Sequence, residues 1–214
     1  MSTSRLEAIS DGVLAIIVTI MVLELKVPEG HELSDLVHTT GGGLLTYLLS
    51  FVYVGIYWNN HHHMFQLVRR ISGGVLWANL ALLFCLSLFP FSTAWLHESR
   101  FERIPVVIYG VNLLAAAIAY VVLQTVIIRG QGGESPLRQA VGTDVKAKVS
   151  HGLLLAGILS ALAVDPAGRV GAGLALACFI AVAVIWIVPD RRVGRLVHQQ
   201  ESPGREQAPI APGS

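Results

Sequence analysis

The chain has 214 residues, of which 53% are apolar and only 14% charged, with a formal net charge of +1 at neutral pH. Soluble domains carry about a quarter charged residues, so this composition fits them poorly, and its apolar content excludes a disordered chain. Near-neutral charge also removes any global pull towards nucleic acid or acidic partners, leaving local charge placement as the informative signal.

Six apolar segments can be drawn, several of them within the roughly 17–25 residues that signal a membrane helix and the fifth short. The first runs from about Glu7 to Val27 and stops before Pro28-Glu29-Gly30. Its leading end carries Arg5, Glu7 and Asp11, and its far end has no small-residue cleavage pattern, so it reads as a retained helix and not a cleaved signal. The second starts near Gly43, runs from Leu44 to Trp58 and passes into Asn59-Asn60-His61-His62-His63. The third spans about Gly74 to Trp95 and contains Pro90, which removes a backbone donor and predicts a kink near the outer end. The fourth runs from about Ile104 to Ile128, with Pro105 in its first turn. The fifth, Val149 to Val164, and the sixth, Val170 to Val188, are rich in small residues such as Gly152, Ala156, Gly157, Gly171 and Gly173, which let helix backbones approach closely in lipid. Cys85 and Cys178 both sit inside apolar runs and read as buried free thiols. The sequence thus predicts an all-α polytopic membrane protein, with residues 1–189 forming a six-helix transmembrane domain. Residues 190–214 form a polar tail whose composition cannot bury a core and is read as disordered.

With six spans the termini share a side. That side holds eleven Lys and Arg residues (Arg5, Arg69, Arg70, Arg129, Arg138, Lys146, Lys148, Arg191, Arg192, Arg195 and Arg205), against four (Lys26, Arg100, Arg103 and Arg169) on the other. Both termini are therefore expected in the cytoplasm, in a multi-pass protein of the cell membrane.

This orientation brings a set of polar groups to one depth. Arg5, Ser10 and Asp11 open helix one, His61, His62 and His63 follow helix two, and Trp77 and Asn79 start helix three. A carboxylate at the edge of hydrocarbon is expensive without a partner, and a buried unpaired polar group costs about 1–3 kcal/mol. An interhelical network of Arg5, Ser10, Asp11, His61, His62, Trp77 and Asn79 is expected, with Asp11 locking helix one to its neighbours. At about 100° per residue, Ile9, Gly12, Ile16, Thr19, Ile20 and Leu23 share one stripe of that helix, and Asp11 lies about 140° from Ile16. If Asp11 faces its own bundle, the stripe faces lipid or a symmetry axis. Around an axis it would make stacked apolar rings of the kind that gate a pore by excluding water.

Three consecutive helical histidines point about 100° apart and cannot converge on one ion. No His-Glu-x-x-His, nucleophile elbow, phosphate loop or Thr-Val-Gly-Tyr-Gly filter occurs, so neither an enzyme nor a cofactor or metal site is expected. A proton- or solute-coupled transporter, or less readily a His-rich metal or haem protein, stands as the alternative class; a proton carrier would want more titratable groups at mid-membrane than this chain offers.

Three motifs carry a resemblance. Arg5-x-x-x-Ile9-Ser10-Asp11 resembles the Arg-x-x-x-Phe-Ser-Asp signature of the transmembrane protein 175 potassium channels, with Ile9 standing in the Phe position. Trp58-Asn59-Asn60-His61-His62 is similar to their Trp-x-Asn-His-His, and Trp77-x-Asn79-Leu80 through Leu88-x-Pro90-Phe91-x-Thr93 to their third-helix pattern. The resemblance implies a potassium-preferring cation channel that assembles as a homotetramer of six-helix chains, with helix one lining the pore and no carbonyl filter. It implies Ile16 as the constriction, Thr19 and Leu23 further outward with Gly12 and Ile20 on the same stripe, and K+ as the permeant ion.

Overall fold

The computed structural model describes residues 2–68, 70–132, 135, 137–138, 145–164 and 169–187. The tail and Arg69, Arg191, Arg192, Arg195 and Arg205 lie outside the described residues. Among the described residues, the helices with defined bounds are, in chain order, α1 Thr3–Leu23, α2 Leu33–Gln66, α3 Gly73–Ser87, α4 Phe89–Glu98, α5 Arg103–Gln131, α6 Val145–Ala163 and α7 Arg169–Ile187. Counting α3 and α4 as one interrupted crossing, six are long and apolar enough to cross a membrane. The shortest, α6 and α7, have 19 residues each. At about 1.5 Å per residue they just reach across a hydrocarbon core of about 30 Å.

Local chemistry sets the helix ends. Ser2 caps α1, its hydroxyl accepting the Arg5 N–H at 3.4 Å. The helix ends at Leu23 rather than Val27, since a helix continued to Pro28 would set the proline ring against the Glu24 carbonyl and leave that carbonyl without its donor. The freed Lys26 carbonyl instead accepts the Thr40 hydroxyl at 2.6 Å, tying the connection to α2. Helix α2 starts ten residues earlier than the apolar run suggested, because Glu32 and Asp35 form a reciprocal capping box. It then continues through the histidine run to Gln66, so His61, His62 and His63 lie inside the helix. The third crossing is interrupted at Leu88, and Pro90 occupies the first turn of α4, where its missing donor costs nothing. The turn from α4 to α5 holds Arg100 and Phe101 at φ of 54° and 62°, two non-glycine residues in left-handed backbone.

Helix α1 lies against α2, α3 and α4, while α5 packs on α3, α4, α6 and α7. The buried centre is aromatic: Phe89, Tyr109 and Phe179 are fully enclosed, with Tyr109 5.9 Å from Phe179 and 6.4 Å from Phe89 by ring centroid. Close backbone approach locks α6 to α7. A Cβ on Gly171 would stand 2.5 Å from the Ser160 carbonyl oxygen, and one on Gly157 2.8 Å from the Phe179 ring. Gly152 and Gly173 face open space instead.

Candidate functional site

Helix α1 has two sharply different faces. Leu6, Ser10, Leu14, Ile17 and Met21, spaced by three and four residues, are all buried against the bundle. Opposite them Ile9, Ile16, Ile20 and Leu23 stand exposed, Ile16 at 58% and Leu23 at 80%. Thr19 shares that exposed face, and Gly12 opens it, with nothing within 4 Å of where its Cβ would be. The Thr19 hydroxyl donates back to the carbonyls of Ile16 (2.9 Å) and Ala15 (3.1 Å), which leaves oxygen lone pairs unspent.

Three sets of polar contacts hold α1 at its N-terminal end. Asn79 on α3 is fully buried and donates through Nδ2 to Ser10 Oγ at 3.0 Å. Its Oδ1 can only accept, so His61, 2.8 Å away, donates from Nε2. Ser10 in turn donates to the Leu6 carbonyl at 2.9 Å, and the His61 ring stacks on Phe65 at 4.3 Å. Beside this chain, Gln66 Nε2 donates to His62 Nε2 at 3.0 Å. That leaves His62 Nδ1–H to donate to Glu7 Oε1 at 2.6 Å, an arrangement that a neutral imidazole satisfies at both nitrogens. Finally, the Trp58 indole donates to Asp11 Oδ1 at 3.1 Å.

One expectation needs correction, the membership of Arg5 and Trp77. Asp11 is tied to α2 through the Trp58 indole, with Ser10 beside it on the seam at 0% exposure. One residue is 100° of helix, enough to move the carboxylate off the seam to where an indole from α2 reaches it. Arg5 and Trp77 stand outside the network: neither side chain makes a hydrogen bond or ion pair among the described residues. Arg5 is exposed because eleven residues return it to within about 20° of Ile16, on the stripe face. Trp77 is 75% exposed because two residues separate it from Asn79 by about 200°. The structure adds Glu7, Trp58 and Gln66. Glu7 precedes Asp11 by one helical turn, a spacing that could have flagged it.

A second polar group of residues lies deeper and had no legible pattern. The Ser50 hydroxyl is 2.7 Å from Thr93 Oγ1 and 3.0 Å from the Tyr109 hydroxyl, and Asn112 donates to Ser92 Oγ at 3.1 Å. The Tyr53 hydroxyl donates to the Phe179 carbonyl at 2.6 Å. At the far end, Lys26 pairs with Glu98 at 3.0 Å, and the His97 ring lies flush on Gly42 and Gly43. The described residues contain no group of three or more His, Cys, Asp or Glu side chains that could hold a metal ion. His61 reaches Asn79 while His62 reaches Glu7, as consecutive helical positions require.

Six apolar crossings, with the leading helix clamped at one end and turned outward along the rest, define a polytopic all-helical membrane protein with no catalytic constellation among the described residues. Residues 5–90 match a family model described as endosomal/lysosomal potassium channel TMEM175. The chain is 47% identical over 193 residues to a potassium channel of Chryseobacterium sp. (strain P1-3), covering 90% of this chain and 96% of that one. A potassium channel of Streptomyces collinus is 34% identical over 125 residues, 55% of this chain and 61% of the relative. The crystal structure of a lysosomal potassium-selective channel TMEM175 homolog from Chamaesiphon minutus superposes with a TM-score of 0.71 at 28% identity, over 88% of this chain and 97% of that one. The chain belongs to the TMEM175 family of potassium channels, a family of ion channels and not of enzymes.

Proposed function

We propose that the chain forms a potassium-permeable cation channel in which four copies place the exposed stripe of α1 around a shared axis. What supports this reading most is the division of α1 itself. A helix fastened to its own bundle through Leu6, Ser10, Leu14, Ile17 and Met21 leaves Gly12, Ile16, Thr19, Ile20 and Leu23 for whatever surrounds it. Repeated about an axis, Ile16 forms an apolar ring that water leaves readily, a barrier that needs no carbonyl filter. One turn further along, Thr19 offers hydroxyl lone pairs to a cation losing part of its hydration shell. Gly12 widens the approach from the Arg5 end. The polar clamp acts as positioning machinery: it sets the rotation of α1 and thereby which side chains meet the ions. Lipid and further copies of the chain are the partners of this reading. The excess of Lys and Arg on the terminal side supports the further reading that both termini lie in the cytoplasm of a cell-membrane protein.

The test is K+ flux into liposomes, with assembly checked by size-exclusion chromatography. Ile16→Asn should raise flux at least about tenfold, the effect of lowering a barrier by about 1.4 kcal/mol. Unchanged flux in a correctly assembled protein would remove Ile16 from the pathway.

A further inference from the structure

Helices α2, α5, α6 and α7 line a cavity of about 50 Å³, away from the exposed face of α1. A cavity that accepts benzene is about 150 Å³, whereas a water needs only about 10–15 Å³ and 2–4 polar partners. The volume therefore suits water and little else, and the wall decides whether water belongs there. Tyr57 and Asn60 of α2 and Ser150 and His151 of α6 all contribute to it. Among the described residues the Tyr57 hydroxyl makes no hydrogen bond. Asn60 uses its Nδ2 on the Ile56 carbonyl at 2.8 Å, which leaves Oδ1 without a donor. His151 Nδ1 lies 2.6 Å from the Ala147 carbonyl, which can only accept, so a neutral ring keeps Nε2 as an open acceptor. Ser150 Oγ accepts from the Trp186 indole at 2.8 Å, and its own O–H is left to donate.

The open groups are complementary to water. Tyr57 and Ser150 supply two O–H donors, and Asn60 Oδ1 and His151 Nε2 supply two acceptors, matching the two lone pairs and two hydrogens of a water molecule. Their depth makes the match necessary. Tyr57 stands nine residues before the end of α2 at Gln66, about 13 Å along the axis at about 1.5 Å per residue. Within a membrane crossing no bulk water is at hand to satisfy a polar group that the protein leaves unpaired. The packing leaves room for a bridge as well. Helix α2 packs on α7 but not closely on α6 among the described residues.

We infer that the cavity among α2, α5, α6 and α7 is a hydration site, in which one or two ordered waters join Tyr57 and Asn60 of α2 to Ser150 and His151 of α6. The inference rests on the six-helix membrane architecture and not on conduction. The same stretch of α2 carries Trp58, His61 and His62, which reach Asp11, Asn79 and Glu7. The bound water thus seats the part of α2 that holds α1 against α6, a helix that α1 itself does not pack on.

The test compares Tyr57→Phe with the unaltered full chain in lipid nanodiscs. In a dry cavity the Tyr57 hydroxyl is an unpaired polar group, so its removal relieves a penalty and the melting temperature holds or rises. In a hydrated cavity the same change deletes a hydrogen bond to water, and the melting temperature should fall by about 2–4 °C, the shift expected for one such bond in a chain of this size. X-ray hydroxyl-radical labelling read by mass spectrometry gives a second measure, because the radical forms from water already in place. Tyr57 should be oxidised several-fold more than the fully buried Tyr109. Ala117→Leu, which fills the cavity from its wall, should bring Tyr57 labelling down to the level of Tyr109. An unchanged or raised melting temperature in Tyr57→Phe, Tyr57 labelled no more than Tyr109, or labelling that persists in a folded Ala117→Leu variant would each overturn the inference.

Discussion

Asn79→Ala isolates the contact that sets the rotation of α1. Asn79 is fully buried and joins three helices, donating to Ser10 on α1 and accepting from His61 on α2. Interhelical hydrogen bonds within membranes average only about 0.6 kcal/mol and reach about 1.7. Truncation does more than remove two such bonds, because it leaves the Nε2–H of His61 without a partner at a site 1% exposed. The Nδ1 of the same ring already lacks a partner among the described residues. An orphaned buried donor adds about 1–3 kcal/mol, so the total loss should be about 2–4 kcal/mol. Ser10→Ala removes the bond from Asn79 and its own to the Leu6 carbonyl, leaves the buried Asn79 N–H without that partner, and should cost about 1–3 kcal/mol. The pair can be measured by reversible unfolding of detergent-solubilised protein in increasing dodecyl sulfate, followed by circular dichroism. The double variant should show a coupling of at least about 0.5 kcal/mol, as neighbours in one network do. Losses that simply add would refute the claim that Asn79 and Ser10 form one unit, and a loss under about 1 kcal/mol for Asn79→Ala would refute the whole clamp.

The remaining expectations probe other parts of the same architecture. Trp58→Phe deletes a single indole donor to a partly exposed Asp11 and should cost only about 0.5–1 kcal/mol in the same unfolding assay. Gly171→Val drives a side chain into the Ser160 carbonyl and should destabilise by about 1–3 kcal/mol or more, whereas Gly152→Ala, in open space, should stabilise by about 0.5–1 kcal/mol; thermal melts distinguish the two. Gly43→Ala places a methyl 3.0 Å from His97 and should lower the melting temperature, with recovery when His97→Ala is added; no recovery would mean that the two do not share that space. Thr19→Val keeps the shape of the α1 stripe but removes its lone pairs, so K+ flux should fall several-fold with stability unchanged, and equal flux would take Thr19 out of the ion path.

Much of the fold was legible without coordinates. The six crossings follow from runs of apolar residues that only a bilayer explains, and Pro90 marks the break in the third. The errors at helix ends have local causes. Glu32 and Asp35 start α2 through a capping box outside the apolar run, and Pro28 ends α1 early. In the clamp, Ser10, His61, His62 and Asn79 were readable as complementary groups at a common depth. Arg5 and Trp77 were misplaced because shared depth says nothing about azimuth.

Residue order alone determined that this chain crosses a membrane six times, which ends of the helices carry polar groups, and that one stripe of the first helix is apolar. Periodicity is a property of one helix, and hydropathy of one segment, so both can be read one stretch at a time. Which acid meets which base was decided only in three dimensions. A rotation of 100° per residue separates Ser10 on the seam from Asp11 beside it, and only packing against α2 and α3 chooses between them. The same holds for the Ser50, Thr93 and Tyr109 contacts, whose members lie up to 59 positions apart and share nothing in sequence but solitary hydroxyls in apolar runs.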